Sequence, residues 1–134
     1  DFDRVILPKL KNPALAGVII GSPVYFRNAS SLCFAFLERL SALRTPTLQW
    51  ADKVAGVLTV GAYRNGGQEL VIEQIQAAML CHEMFLVGGK PGAHQGATLW
   101  NNAKDDITKD EFGIESARKL GTRVAQAALK IAGR

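Results

Sequence analysis

The sequence predicts an α/β protein built on a parallel sheet, with helices on both faces. Three apolar runs, at residues 15–22, 53–60 and 84–87, have the length and near-continuous hydrophobicity of strands covered on both faces. Helical periodicity follows the first two runs, and a long amphipathic pattern ends the chain. Strands that alternate with helices form parallel sheets with right-handed crossovers. We therefore predict that residues 1–134 form a single domain.

The first helix is predicted for residues 29–43, where apolar residues recur at a spacing of three or four. Either Asn28 or Ser30 can cap its first turn by accepting a hydrogen bond from a free backbone N–H group. A shorter helical pattern precedes the first strand and breaks before Pro13. Residues 44–52 contain a proline and are predicted to form a loop.

The second strand ends in a glycine-rich turn, and a helix is predicted for residues 68–81. The third strand is closed by two glycines. Residues 90–109 show no periodicity, and so long an unstructured segment in a compact domain is usually functional or mobile. The last helix, residues 111–132, has one apolar face and begins after Asp110, a suitable cap.

The charge and hydropathy of the chain exclude two classes of partner. The net charge is +4, and the basic residues are scattered without a run or stripe. Nucleic-acid binding is therefore not expected. No apolar run is long enough to span a bilayer, so no membrane partner is expected either.

The two cysteines, Cys33 and Cys81, both lie in apolar helical patterns, far apart in the sequence. This placement favours buried free thiols in a reducing compartment, the cytoplasm, over a disulfide. No metal site is expected. One acidic cluster is interpreted as a solvated helix entry rather than as a set of ligands: Asp105, Asp106, Asp110 and Glu111.

Two loops carry the candidate binding residues, and each follows a predicted strand. The first contains Ser22, Pro23, Val24, Tyr25, Phe26, Arg27 and Asn28. Its aromatic rings could stack on a planar ligand, and its arginine could balance a negative charge. Taken alone, Tyr25 and Phe26 could equally be packing residues at a strand end.

The second loop contains Gly61, Ala62, Tyr63, Arg64, Asn65, Gly66 and Gly67, with Glu69 at the start of the next helix. Glycines let the backbone approach a ligand closely. The loop lacks the G-x-G-x-x-G spacing of dinucleotide-binding proteins, and alone it could be only a glycine-rich helix entry. Loops that follow adjacent parallel strands share one crevice, where open α/β sheets bind ligands.

Neither histidine belongs to an evident catalytic set, and no catalytic residue is predicted. His82, at a helix end, is interpreted as a cation beside the helix terminus. His94 lies in the long loop that also holds Trp100, and it could be a solvent-facing residue or a site residue.

Together these residues resemble the flavodoxin-like NAD(P)H-dependent FMN reductases, and most of all the iron–sulfur flavoprotein branch. The resemblance rests on residues 21–28 and 61–69, and residues 94–98 and 110–118 agree with it. It implies a flavodoxin-like three-layer α/β/α fold with FMN lying across the two loops. It also implies that the first loop lies beside the ring and ribityl chain and that the second holds the pyrimidine edge.

Reduced FMN gathers negative charge near N1 and O2, which fixed N–H donors or an arginine would stabilise. Arg64 is the first candidate for this role, and Arg27 is the second. His94 is a further candidate for the cofactor site, because the long loop in such proteins often meets a neighbouring subunit near the flavin.

The chain departs from the family pattern at its start. The family's first strand with its phosphate loop, its second strand and the closely spaced cluster cysteines are absent, so the fold looks truncated at the N-terminus. In the family strand order 2-1-3-4-5, the edge of the strand at residues 15–22 would then be open. We expect another chain in a dimer or tetramer, or a cleaved or omitted segment, to cover it.

The resemblance implies an FMN-dependent oxidoreductase. Such a protein passes electrons from NAD(P)H or a redox partner to an acceptor that is a quinone, a flavin or a protein. Two alternatives stay open at this point. The chain could be a non-catalytic FMN electron carrier, or a truncated domain without a cofactor that oligomerisation holds together.

Overall fold

Strand β3 (Val54–Gly61) lies at the centre of the sheet in the computed structural model, which describes residues 1–101 and 106–133. Strand β1 (Gly17–Tyr25) pairs in parallel with one edge of β3, in register from Gly17 opposite Val54 to Pro23 opposite Val60. On the other edge, β4 (Phe85–Leu86) pairs with the start of β3, and β5 (Ala97–Trp100) pairs with its end. These three parallel pairings confirm the predicted parallel sheet.

The segment predicted as the first loop is mostly strand, so that prediction was wrong. Strand β1 continues to Tyr25, and β2 (Asn28–Ala29) returns antiparallel to it. Phe26 and Arg27 form the two-residue turn between them, with φ of 51° and 64°. Such left-handed turns usually contain Gly, Asn or Asp, because other residues are strained there. Neither turn residue is of that kind, so the sequence carried no hairpin signal.

The segment predicted to lack structure, residues 90–109, contains β5 and a short 3₁₀ turn (Ile107–Lys109). Residues 102–105 lie outside the described part of the chain. Strand β5 is only four residues long, and it is stabilised by pairing with β3 rather than by a pattern of its own. A strand this short cannot be recognised from periodicity.

The helices agree with the prediction to within a few residues. Their bounds are α1 (Leu7–Leu10) after a π turn (Phe2–Ile6), α2 (Ser31–Arg39) followed by a 3₁₀ turn (Leu40–Leu43), α3 (Gln68–Leu80) and α4 (Glu111–Ile131). Ser30 caps α2, since its hydroxyl accepts a hydrogen bond from the backbone N–H of Cys33. Asp110 caps α4 in the same way through the N–H of Gly113.

Two cores cover the two faces of the sheet, which makes the fold three-layered. On one face, α2 and α3 pack over a core that includes Leu40, Trp50, Val57, Ile72, Ile75 and Met79. On the other face, α4 packs against β3 and β5 through Val54, Ala97, Leu99, Leu120 and Val124. Gly56 permits this approach, because an added Cβ would lie 2.7 Å from Cγ2 of Val124.

The outer edge of β1 is open along most of its length among the described residues. Only Val24 and Tyr25 pair there, with β2. A groove of about 650 Å³ runs beside this edge, and its lining includes Phe2, Ile6, Ile19, Leu32, Cys33 and Phe36. That another chain covers this edge stays a prediction. No helix in the described ranges is both long and apolar enough to cross a membrane.

Cys33 and Cys81 are both free, as predicted, but only Cys33 is buried. Burial raises the pKa of the Cys33 thiol, although a side-chain hydrogen bond with Ser22 opposes the shift. Cys81 is exposed just after the end of α3, so the expectation that it is buried was wrong.

The interpretation of His82 as a helix-terminal cation was also wrong. Its ring is buried against Trp50, with 5.7 Å between the ring centroids. Its Nδ1 has no hydrogen-bond partner among the described residues. Burial lowers the pKa of His82 below its ordinary value of 6.5, and the nearby Arg44 charge lowers it further. The folded protein therefore holds this imidazole neutral at pH 7.

We expect the free energy of unfolding to fall as the pH drops through 6.5 towards the lowered pKa of His82 in the folded protein. In that range the unfolded chain binds more protons than the folded one, so acid favours unfolding. His82→Gln should remove this part of the pH dependence, whereas the same change at the exposed His94 should keep it. Urea unfolding at several pH values between about 8 and 5 gives the slope of the free energy of unfolding against pH for each variant. Equal slopes in the His82→Gln and His94→Gln proteins would contradict the account.

Candidate functional site

A cavity of about 590 Å³ lies at the carboxyl end of the sheet. Five of the predicted site residues line it: Arg27, Arg64, Asn65, Gly67 and Glu69. They come from the hairpin turn (residues 25–28), from the glycine loop (residues 61–67) and from the first turn of α3. The topology places them together because β1 and β3 are adjacent parallel strands that end at the same edge.

The hairpin turn and the glycine loop are in direct contact. A Cβ added to Gly67 would lie 3.0 Å from both Cα and Cβ of Arg27. Gly67 also has a φ of 107°, in the left-handed region that only glycine adopts without strain. Glycine at this position therefore allows the two loops to form one continuous surface, as the sequence predicts for loops that share a crevice.

Gln68 braces the glycine loop from within, and sequence reasoning missed it as a site residue. Its side chain is only 4% exposed, and its Nε2 donates to the carbonyl of Tyr63 at 2.6 Å. Its Oε1 accepts from the N–H of Gly66 at 2.9 Å. Gly61 leaves room for this amide, since an added Cβ would lie 2.5 Å from Nε2. The available signal was its place within residues 61–69, one of the stretches that carry the family resemblance.

Trp100, the last residue of β5, supports the same loop from the other side. Its indole Nε1 donates to the carbonyl of Ala62 at 3.0 Å. The Arg64 guanidinium carbon lies 4.6 Å from the centroid of the Trp100 ring. The backbone N–H of Trp100 donates to the buried carboxylate of Asp110, which also caps α4. The missed strand β5 therefore connects the glycine loop to the last helix.

The other residues of the first predicted loop have structural contacts. The Ser22 side chain is buried; its Oγ donates to the carbonyl of Pro23 and accepts from the N–H of Ser30. Val24 pairs with Ala29 within the hairpin. None of Ser22, Pro23 and Val24 is among the residues that line the cavity.

Asn28 holds the hairpin turn in place against α3. Its Oδ1 accepts from Nε2 of Gln74 at 3.1 Å, and its Nδ2 donates to the carbonyl of Phe26 at 3.0 Å. Gln74 also accepts, through Oε1, from the N–H of Ala29. The turn is therefore anchored from both sides although its side chains are exposed.

Three exposed aromatic rings belong to the two loops. Tyr25 is 61% exposed, Phe26 is 99% exposed and Tyr63 is 78% exposed. They do not line the cavity itself, but their sequence neighbours Arg27 and Arg64 do. Several large rings exposed at one edge of a domain are typical of a binding surface rather than of packing.

His94 is not brought to the cavity within one chain. It is exposed in the segment between β4 and β5. The neighbouring Gln95 carbonyl accepts from Nε2 of Gln76, in the second half of α3. Gly96 abuts the carbonyl of Val57, in the middle of β3. His94 therefore lies nearer to the middle of the sheet than to its carboxyl end, where the cavity is.

The cavity combines positive side chains with backbone donors. Arg27 and Arg64 line it together with the first turn of α3. That helix begins at Gly67 without a side-chain cap, and the first N–H groups of a helix lack partners within it. Glu69 and Glu73 add negative charge on the side of α3. The cavity can therefore hold a polar aromatic group with carbonyl oxygens.

A metal centre has no support in the described ranges. Residues 1–101 and 106–133 contain no group of three or more His, Cys, Asp or Glu side chains that could hold a metal ion. Asp105, one member of the acidic cluster considered from the sequence, lies outside these ranges. Its neighbour Asp106 caps the short 3₁₀ turn and pairs with Lys109.

Comparison with known proteins places the chain in a flavoprotein group. Residues 10–98 match the family described as NADPH-dependent FMN reductase. The chain is 43% identical over 127 residues to an iron-sulfur flavoprotein of Methanocaldococcus jannaschii, covering 94% of this chain and 64% of that protein. It is 27% identical to an NAD(P)H dehydrogenase (quinone) of Chromohalobacter salexigens, covering 87% of this chain and 64% of that protein.

A solved structure has the same fold. The WrbA-like flavodoxin from Agrobacterium tumefaciens superposes with a TM-score of 0.73 at 23% identity, covering 88% of this chain and 69% of that one. The fold is therefore flavodoxin-like, as the resemblance implies. The chain spans less than two thirds of the length of the curated relatives it matches, for example 64% of the one from M. jannaschii. On the family match and the identity to that relative, the chain belongs to the NADPH-dependent FMN reductase family.

Proposed function

We propose that the hairpin turn and the glycine loop bind FMN, and that the protein is an FMN-dependent oxidoreductase that takes electrons from NAD(P)H. The observation that carries this proposal is the contact between Gly67 and Arg27, which joins two aromatic, arginine-bearing loops into one surface. Membership in the NADPH-dependent FMN reductase family supports the choice of cofactor.

The residues of the two loops fit FMN in shape and in charge. A cavity of about 590 Å³ is within the usual size of a small-molecule site. The exposed rings of Tyr25, Phe26 and Tyr63 are available to stack on a planar ring system. The uncapped start of α3 offers N–H donors to the carbonyl oxygens of a pyrimidine edge.

The protein's own part in the reaction is binding and electrostatics. When bound, FMN supplies the redox chemistry, since its ring accepts a hydride and passes electrons on. Arg64 lies in the cavity, where its charge would stabilise the negative charge that the reduced ring gathers near N1 and O2. Arg27 would add to that field from the hairpin turn. No side chain is needed as a general acid or base.

The electron acceptor is proposed from the relatives. Two relatives are named NAD(P)H dehydrogenase (quinone), which favours a quinone over a flavin or a protein. Both cysteines are free thiols, which is typical of proteins in a reducing compartment, and we propose that the protein is cytoplasmic. A non-catalytic FMN electron carrier is the second candidate, because the same two loops would serve it equally well.

The visible spectrum of the purified protein tests the proposal. We expect flavin absorbance, either as purified or after FMN is added and the excess removed. Anaerobic NADPH or NADH should then bleach it, and a quinone should restore it. Absence of flavin binding would contradict both proposals, the FMN reductase and the FMN electron carrier. The third alternative, a domain without a cofactor, would then stand. Bound flavin that neither nucleotide bleaches would overturn the reductase in favour of the carrier.

Replacing the exposed tyrosines tests where the ring lies. Tyr25→Ala and Tyr63→Ala should each weaken FMN affinity about two- to ten-fold, because an aromatic stacking contact contributes about 0.5–1.5 kcal/mol. Leu129→Ala is a matched control, since Leu129 is a half-exposed apolar residue in α4, outside both loops. Flavin fluorescence titration gives the three dissociation constants. Unchanged affinity in both tyrosine variants would mean that the ring binds elsewhere.

We propose further that the protein is a homo-oligomer, a dimer or tetramer, in which the open edge of β1 and its apolar groove are covered. Within the described ranges, most backbone groups on the outer edge of β1 are unpaired, and exposed Ile19 and Leu32 lie beside them, which favours association. Light scattering after size exclusion should give an oligomer mass. Leu32→Glu, in the groove, should shift it towards monomer, and the same change at Leu129 should not. A wild-type monomer would contradict this proposal and leave the FMN proposal intact.

A further inference from the structure

We propose that Trp100 is a positioning residue for the flavin site, acting through Arg64. It is the last residue of β5, a strand that contributes none of the predicted binding residues. The inference rests on the proposed function, in which Arg64 faces the polar edge of FMN. Trp100 also lines the cavity, and the role assigned here, which acts through Arg64, is separate from any contact that its ring makes with the cofactor.

Trp100 makes three contacts, one that holds it in the fold and two that hold the glycine loop. Its backbone N–H donates to Oδ2 of Asp110 at 2.6 Å, and that carboxylate is itself buried at the start of α4. Its indole Nε1 donates to the carbonyl of Ala62 at 3.0 Å. Its ring then supports the Arg64 guanidinium at 4.6 Å. A rigid part of the fold therefore determines where a long, flexible side chain lies.

Stacking is a suitable way to hold this arginine. A guanidinium held over the face of an aromatic ring is attracted by the π system, and this attraction does not use its N–H donors in an ion pair. An ion pair would occupy those donors and cancel the charge. No acidic side chain forms an ion pair with Arg64 in the described part of the chain. The contact with Trp100 therefore orders the charge and keeps it available to a ligand.

Loss of the Trp100 ring should therefore imitate loss of the Arg64 charge. Trp100→Leu should weaken FMN affinity by up to about two- to five-fold, because the energy of an exposed cation–π contact limits how much the ordering of Arg64 can contribute to binding. It should also shift the midpoint potential of bound FMN in the negative direction, and Arg64→Gln should do the same, because in both variants the reduced ring loses a fixed positive charge. Trp100→Phe keeps an aromatic face for Arg64 and should stay closer to wild type on both measures.

A double-mutant cycle separates positioning from a general structural role. If Trp100 acts on the flavin through Arg64, the Trp100→Leu/Arg64→Gln protein should have the same midpoint potential as Arg64→Gln alone. If Trp100 only stabilises the fold, its effect on potential should be absent or should add to that of Arg64→Gln. Full additivity, or Trp100→Phe behaving like Trp100→Leu, would overturn the proposal.

The flavin-free protein provides a test that does not depend on FMN binding. The chain has two tryptophans, and each indole N–H donates to a carbonyl: Trp100 to Ala62 and Trp50 to Leu10. In nitrogen-15 NMR spectra, Arg64→Gln should move the Trp100 indole resonance and leave that of Trp50 in place. No movement would refute the stacking itself. Movement without any FMN binding would refute the proposed function and leave the contact standing.

Discussion

The central constraint in this molecule is the pairing of β3 on both edges. Its eight residues hold β1 on one side, and β4 and β5 on the other. Gly56 within it lets α4 approach closely on one face, while Val57 packs into the core under α3 on the other. Because β1, β3 and β5 run parallel, the hairpin turn, the glycine loop and Trp100 all meet at one end of the sheet. The candidate site is a consequence of that pairing.

The sequence predicts the parts of the fold that have a local signal. The two long strands, the helices and the caps at Ser30 and Asp110 follow from apolar periodicity and from side chains that accept backbone hydrogen bonds. Strand β5 has no such signal, because four residues gain their strand conformation only from β3. The hairpin was missed because Phe26 and Arg27 adopt left-handed backbone conformations that such residues rarely occupy.

The site residues divide in the same way, into those with a local sequence signal and those whose roles depend on tertiary contacts. Residues in the loops that follow the two long strands, such as Arg27, Arg64 and Gly67, are placed near the cavity by the sequence, because the order of strands and loops is enough to locate them. Gln68 and Trp100 were missed because their roles depend on contacts: a buried amide that folds back on its own loop, and an indole that arrives from a distant strand. His94 is a different case: the fold places its loop beside the middle of α3 and β3 of its own chain. A role for His94 at a flavin therefore stays a prediction, one that concerns the site of a neighbouring subunit.

These observations lead to one central claim, that the two loops act as a single FMN site because they touch at Gly67 and Arg27. Amide NMR of the nitrogen-15-labelled protein during an FMN titration tests it most directly. The account predicts that the amides of Arg27, Arg64 and Gly67 shift together with one dissociation constant, while that of Gly121, on α4 with open space around it, does not move. Shifts confined to one loop, or none in either, would contradict it.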